Sequence, residues 1–544
     1  MGTETQFGAA ANGEATIQQG NQSNYLIEGT LNFSENYGIH TIDAVAGMTF
    51  QRFLTDRNFM TANDFPSDAT FTYNMGLANP ELVEINSDRF SNELVSYIGR
   101  VNYNLLDKYL VTATVRADGS SRFGEDNRFG IFPSGAIGWR VNEEPFMESA
   151  EAISNLKLRA SWGKTGNQEI GNLQFITSFG TGPNAVLGNQ IVSSIDPSNL
   201  ANPELKWETT EQIDFGIDFG LWDERISGSA DYFHKETSDM LVSIPVPSST
   251  GFNSRLQNIG SILNTGFEFS LDTRNVTTSD FNWRTNFNIS FLDNEVQDLG
   301  ETVNEIVIGG PGQVGQAAII REGDPLRSFY GYEVEGIWQT DDDYSNAPAG
   351  VEPGSIKYRD TNGDGQITGE DRTLLGDSFP DVTWAITNNI NYKNFNFRFS
   401  FEGVEGVSML NVNMIDTFFP VNFRRNKLAE PYLNRWTPEN PTNEWPSFVN
   451  PLSQGQKTVN SYTVQDASYI RLRTVRLSYN LPRSVLGGAI RNASIYGMAE
   501  NLFTIDDYIG PDPAVNPNAN ANFRIDWNAA PLVRTFTLGV NLGF

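Results

Sequence analysis

The 544-residue chain contains no cysteine. That removes disulfide frameworks, cysteine-rich zinc sites and cysteine nucleophiles at once. Histidine is nearly absent: His40 and His234 are the whole supply, too little for imidazole-based metal sites or catalytic triads. No apolar run is long enough for a membrane-spanning helix. The opening residues, MGTETQFGAAANG, have neither a basic stretch nor an apolar core, so they do not read as a secretory signal. Either the protein stays where it is made, or these residues are part of a longer chain. Basic charge is scarce, with 37 Lys and Arg against 66 Asp and Glu, a net charge of −29. Such a surface argues against nucleic acid as a partner and repels anionic headgroups unless cations bridge them. Mean hydropathy is negative. A membrane is not thereby excluded, because a transmembrane β-barrel alternates and averages out as polar.

What the chain does have is alternation. In LVRTFTLGVNLGF, Phe536, Leu538, Val540, Leu542 and Phe544 are apolar, and the residues between them are Thr, Gly or Asn. Period two without exception is a strand with one greasy and one polar face. Ile213 to Leu221, Phe281 to Phe291 and Phe395 to Phe401 repeat the pattern. So do Tyr25 to Phe33, Val95 to Leu105, Tyr109 to Val115, Thr265 to Leu271 and Val382 to Tyr392. The whole chain gives about sixteen such segments, most near the ~10 residues that cross a bilayer when tilted. One breaks phase: Ile470 and Leu472 have one parity, Val475, Leu477 and Tyr479 the other. A bulge near Thr474 restores a single apolar face.

The connections are asymmetric. Residues 106–108, 223–224 and 393–394 read as tight turns, whereas 53–90, 296–327, 340–380 and 410–465 are long and rich in Asp, Asn, Gly and Pro. Short turns on one rim and long loops on the other describe an outer-membrane barrel. A soluble sandwich also alternates, but this many strands would need several stacked sandwiches, and no linker marks a boundary. The fold class is therefore all-β, a transmembrane antiparallel barrel whose apolar face meets outer-membrane lipid.

Candidate sites are few. DTNGDGQITGED, residues 360–371, matches a calcium loop. Asp360, Asn362 and Asp364 supply oxygens, Gly365 the sharp turn, Gln366 its carbonyl, Thr368 a direct or water-mediated ligand, and Asp371 the closing carboxylate. An oxygen-only set suits Ca²⁺, here as a structural staple of the outer loop 340–380. The alternative is a solvated Asp/Asn/Gly turn. GPGQVG, residues 310–315, has the G-x-G-x-x-G spacing, but QAAIIRE leaves no room for the helix a dinucleotide site needs. The pairs Glu143/Glu144 and Asp506/Asp507 have the residue types of glycosidase chemistry and read as solvated or lumen charges. His40 and His234 read as solvated or interfacial residues at strand ends. Trp207, Trp283, Trp338 and Trp384 could stack on sugars or form interfacial girdles.

Seven motifs in order resemble one family. They are RADGSSRFGEDNRFGIFPSGAIGWRVNEEPFM (116–147), LRASWGKTGNQEIG (158–171), NPELKWETTEQIDFGIDFG (202–220) and NIGSILNTGFEFSL (258–271). REGDPLRSFYGYEVEGIWQ (321–339), DASYIRLRTVRLSYNLP (466–482) and NLFTIDDYIGPDP (501–513) complete the series. The match is to the SusC/RagA-like TonB-linked outer-membrane transporters (TonB-dependent receptors) of Bacteroidota. The resemblance implies a 22-stranded barrel, of which residues 1–544 are the C-terminal portion. The N-terminal extension, TonB box, plug and first strands are not found, which would make Met1 a boundary within a longer protein. It also implies import of an oligosaccharide or peptide, no enzyme activity, a SusD-like surface lipoprotein over the long loops, and energy from the TonB complex through the plug. Phe544, closing the last alternating strand, resembles the signal read by the barrel-assembly machinery. The rival readings are a secreted, calcium-stabilised, glycan-binding or adhesive β-protein, and a carbohydrate-active enzyme with a dockerin-like loop. Solubility without detergent would mark the first; polysaccharide turnover would mark the second.

Overall fold

Alternating segments pair with their sequence neighbours, because a tight turn brings two zigzag strands into antiparallel register with like faces together. The computed structural model describes all residues except 1, 5, 183–184, 189, 193, 301–302, 311–313, 346, 349, 419–425, 449–457 and 516–523. One fifteen-stranded sheet dominates it. Its strands are β1 (Glu14–Tyr37), β2 (His40–Asn63), β3 (Val83–Leu105), β4 (Tyr109–Ser120) and β5 (Phe129–Arg140). They continue as β6 (Ile153–Asn167), β7 (Glu208–Leu221), β8 (Ile226–Ser238), β9 (Ser261–Thr277) and β10 (Phe281–Asp298). The last are β11 (Val382–Tyr392), β12 (Phe395–Glu405), β13 (Tyr469–Asn480), β14 (Asn492–Asp506) and β15 (Thr535–Gly543). Each pairs antiparallel with the next, and β1 and β15 stand at the ends of a linear strand order.

Register decides which face is which. Phe215 lies opposite Ala160 on β6 and Tyr232 on β8, so the greasy residues of three strands share one surface. That surface is not a core. Leu538 is 90% exposed, Leu31 79% and Phe536 73%. The bulge expected near Thr474 is present: pairing with both β12 and β14 skips from Leu472 to Thr474, leaving Arg473 unopposed and the apolar face continuous. Where an aromatic needs room, its partner is glycine. A Cβ on Gly403 would fall inside the indole of Trp384 across the β11–β12 ladder.

Several expectations change. The sheet has fifteen strands against about sixteen expected. The connection placed at 53–90 is really 64–82, because β2 and β3 run on to Asn63 and from Val83. Strands of 24 residues such as β1 and β2 extend ~80 Å at ~3.3 Å per residue, far beyond a bilayer. Above the lipid their side chains face water on both sides and lose the apolar period, while the backbone ladder continues. The turn read at 223–224 spans 222–225, with Trp222, Asp223 and Glu224 all left-handed.

In a sequential meander, alternate connections fall on opposite rims. Residues 38–39, 106–108, 222–225, 278–280 and 393–394 turn at one rim; 168–207, 239–260, 299–381, 406–468 and 507–534 extend from the other. The principal apolar core lies among these long segments. Ala318, Phe329, Leu410, Val412, Trp445 and Ile525 pack together there. Leu410 and Asn411 pair in parallel with Ile525 and Asp526, and Tyr332 bridges to Asn460. Segments 299–381, 406–468 and 507–534 are thus one cored unit.

Candidate ligand-facing wall and outer loops

The face opposite the greasy one is polar and largely charge-neutralised. On β6, Arg159 reaches Asp218 of β7 at 3.1 Å and Asp231 of β8 at 2.5 Å, and Lys157 approaches Asp218 at 3.7 Å. Ser161 donates to Asp214 at 2.8 Å. Farther round, Arg284 pairs with Asp272 at 2.8 Å and Arg473 with Glu402 at 3.4 Å. Glu268, Asn288, Ser290, Thr383 and Glu402 line a hollow of about 490 Å³. Such a wall can hydrogen-bond polar solutes.

The outer unit is anchored to the wall by buried polar bonds that motif reading missed. Arg471 on β13 meets Asp512 at 2.6 Å. Tyr508 donates to buried Asp526 at 2.8 Å, and burial together with that carboxylate raises the phenol's pKa. The available signal was parity: Arg471 sits among lumen-side positions of an alternating strand, close to the acidic stretch that follows β14.

The loop 360–371 lies between the hairpin Val334–Ile337/Ile356–Tyr358 and the strand Arg372–Gly376. Asp360 accepts from the backbone N–H groups of Gly363 and Gly365, both at 2.7 Å. Asn362 accepts from Asp364 at 2.9 Å, and Asp364 from Gln366 at 2.8 Å. Thr368 and Asp371 form a reciprocal cap. Asp371 is fully buried and accepts from Thr361 and Thr368 at 2.9 and 2.7 Å. Gly363 and Gly365 are left-handed. Asn362, Asp364, Gln366 and Thr368 remain exposed. Among the described residues no three His, Asp or Glu side chains are gathered as a metal site.

The remaining candidates separate. Residues 311–313 of the glycine-rich stretch lie outside the described residues, but their flanks, Glu305–Gly309 and Gln316–Arg321, form an antiparallel hairpin where a dinucleotide site requires a helix. Among the described residues, Glu143 accepts only from its neighbour Asn142. Glu144 accepts from Tyr109 at 2.6 Å and Trp139 at 3.1 Å and pairs with Lys108 at 3.4 Å; the Tyr109 bond leads in holding its carboxyl below the usual range. It is an anchor at the short-turn rim. Asp506 caps the backbone of Tyr508, and Asp507 is exposed.

His40 does begin β2 and bonds Tyr103 at 2.7 Å, whereas His234 lies inside β8, opposite Ile213 and Thr265, rather than at a strand end. Trp283 faces outward near the short-turn rim and donates to Asn388 at 2.8 Å, a girdle geometry. Trp384 shares that outward face. Trp207 is neither girdle nor sugar platform. It is buried against Phe123 and Phe132 and donates to the Arg128 carbonyl. Trp338 sits in the outer unit between Tyr344 and Lys357. Phe544 is exposed directly after β15.

A meandering sheet with an apolar exterior, a polar interior, aromatics near one rim and long loops on the other defines a transmembrane β-barrel. The chain belongs to the TonB dependent receptor-like, beta-barrel family, whose model matches residues 2–318. It is an outer-membrane family. The chain is 35% identical to TonB-dependent receptor P3 of Formosa agariphila over 99% of its own length and 54% of the relative's. It is 32% identical to TonB-dependent receptor SusC of Bacteroides thetaiotaomicron over 83% of this chain and 44% of that one. The solved RagAB peptide transporter superposes with a TM-score of 0.82 at 25% identity, covering 98% of this chain and 56% of that one. The chain therefore spans about half the length of the curated relatives it matches.

Proposed function

We propose that these residues form the C-terminal wall and outer loops of an importer that brings a nutrient, an oligosaccharide or a peptide, across the outer membrane. The observation that carries this reading is the two-faced wall: exposed Phe, Leu and Ile outside, paired Arg, Asp and Ser inside. Cargo passes along the polar face, and no bond of the cargo is made or broken. The cored outer unit is the surface for a SusD-like lipoprotein. Energy comes from the TonB complex acting through a plug that belongs to a part of the protein outside these 544 residues. The RagAB peptide transporter, by its name, supports the peptide class, and the oligosaccharide class follows from the SusC/RagA-like resemblance of the motifs.

Ca²⁺ bound at Asp360, Asn362, Asp364, Gln366, Thr368 and Asp371 stiffens the outer loop 340–380. What supports it is the alternating oxygen set, with Asp360 already bonded to the backbone of the two left-handed glycines. Transport is tested by uptake of labelled oligosaccharides and peptides in cells with and without the gene, each in a TonB-deficient background as well. Uptake that depends on neither the gene nor TonB would sink the proposal.

A further inference from the structure

Two outer loops, 168–207 and 239–260, border a hollow of about 550 Å³. Its floor is firm. Ile170 is buried in a cluster with Phe123, Phe132, Leu205 and Trp207, and Leu241 and Leu256 pack against the same cluster. One wall is the hairpin Leu241–Pro245/Ser254–Asn258, in which Ser243 lies opposite Leu256 and Pro245 opposite Ser254. Leu241, Ser243, Ser254 and Leu256 line the hollow from a single face of that hairpin. The other wall comes from residues 169–174 and 198–200.

The lining chemistry is specific. Among the described residues the side chains of Gln174, Ser198, Ser243, Asn253 and Ser254 make no hydrogen bond, and all five border the hollow with Phe252. Hydroxyls and primary amides both donate and accept, which matches a ligand covered in hydroxyls. Glu169 is the one charged residue in the lining. Arg122 bonds Glu169 itself and the Gln168 carbonyl, and Arg255 bonds Asn202. Among the described residues no Lys or Arg lines the hollow, and its one charge, Glu169, is paired with Arg122, so a uronate or sulfate ester gains no lining cation and meets a chain of net charge −29. The hairpin offers its side-chain face here rather than its edge, so a peptide gains no backbone ladder as an added strand.

We propose that this hollow is an outer binding subsite for uncharged sugar units of an oligosaccharide, with Phe252 as platform and Gln174, Ser243 and Asn253 as hydroxyl partners. The assignment rests on the importer reading and narrows it to one cargo class at one place.

The test uses the protein purified from outer membranes in detergent. Neutral gluco-, xylo-, manno- and galacto-oligosaccharides are titrated alongside an oligogalacturonate and a mixed tryptic peptide pool. Wild type is compared with Phe252→Ala and with Gln174→Ala/Asn253→Ala; heat-shifted electrophoretic mobility confirms that each variant is folded. At least one neutral oligosaccharide should bind, and each variant should weaken it tenfold or more. Binding of only the uronate or the peptides, no binding of any neutral sugar, or neutral-sugar binding untouched by both variants overturns the proposal. Cellular uptake separates the two levels: TonB-dependent import unaffected by the variants rejects the subsite and leaves the importer standing, whereas the absence of any gene-dependent import by the wild type rejects both.

Discussion

Arg471 and Asp512, 2.6 Å apart and withdrawn from solvent, join the barrel wall to the segment that follows β14. Asp512 also accepts from the backbone of Ala514 at 2.8 Å and Leu532 at 3.0 Å, so one carboxylate holds both ends of that segment. Arg471 in turn donates to Thr504 on β14 at 2.9 Å. Removing one member leaves an uncompensated buried charge. Asp512→Ala is expected to lower stability by about 3–5 kcal/mol. Denaturant titration of the detergent-solubilised protein measures this, and the apolar pair Arg471→Met/Asp512→Leu should recover most of the loss.

The two faces of β12 give a paired test of the lipid boundary. Phe399 lies among outward aromatics, while Ser400, next in sequence, points inward and meets Thr387 at 3.0 Å. Phe399→Lys is expected to cost about 2–4 kcal/mol near the membrane midplane, and Ser400→Lys a fraction of that. Comparing the two in refolding titrations into lipid vesicles decides it. Equal costs would mean that both faces see the same solvent.

Asp371 sets a pH dependence in the outer loop. Burial pushes its carboxyl pKa up, but the backbone bonds from Thr368, Thr361 and Asn362 outweigh burial and hold it below the ordinary 3.8. A depressed acid stabilises the folded state above its unfolded pKa, and that stability is lost as pH falls through the folded value. Melting temperature should therefore drop below about pH 4 in the wild type. Asp371→Asn should be less stable by about 1–3 kcal/mol at neutral pH, with a flatter acid limb. Fluorescence melts across pH 3–7 in steps provide the readout.

Millimolar Ca²⁺ should raise the melting temperature of the wild type, since a ligand bound only by the folded state stabilises by mass action, ~2.7 kcal/mol at a hundredfold excess over Kd. The shift should vanish in Asp360→Asn/Asp364→Asn and be absent with Mg²⁺, which demands a tighter octahedral shell. An identical response in the double variant would place the cation elsewhere.

Inside the bilayer the strands were legible because lipid on one side and water on the other impose period two on the side chains. Phe395 to Phe401, Ile213 to Leu221 and the phase break near Thr474 all lie where alternation puts them. Beyond the lipid that constraint ends, and the upper reaches of β2 and β3 read as loop although the ladder continues through Asp56–Arg89. The calcium-like loop was visible as a contiguous motif. The hollow between 168–207 and 239–260 was not, because it joins residues far apart in sequence whose types, Gln174, Ser243 and Asn253, are unremarkable singly. Trp207 was misplaced for a related reason: its burial depends on Phe123 and Phe132, which sequence proximity does not reveal.

The apolar core shared by 299–381, 406–468 and 507–534 has a consequence for engineering. Because Leu410 zips against Ile525 and Tyr332 against Asn460, these segments are one interchangeable module rather than three. A chimera that swaps a single stretch from a homologue inherits half an interior and should misassemble, whereas transplanting all three together keeps their mutual packing intact.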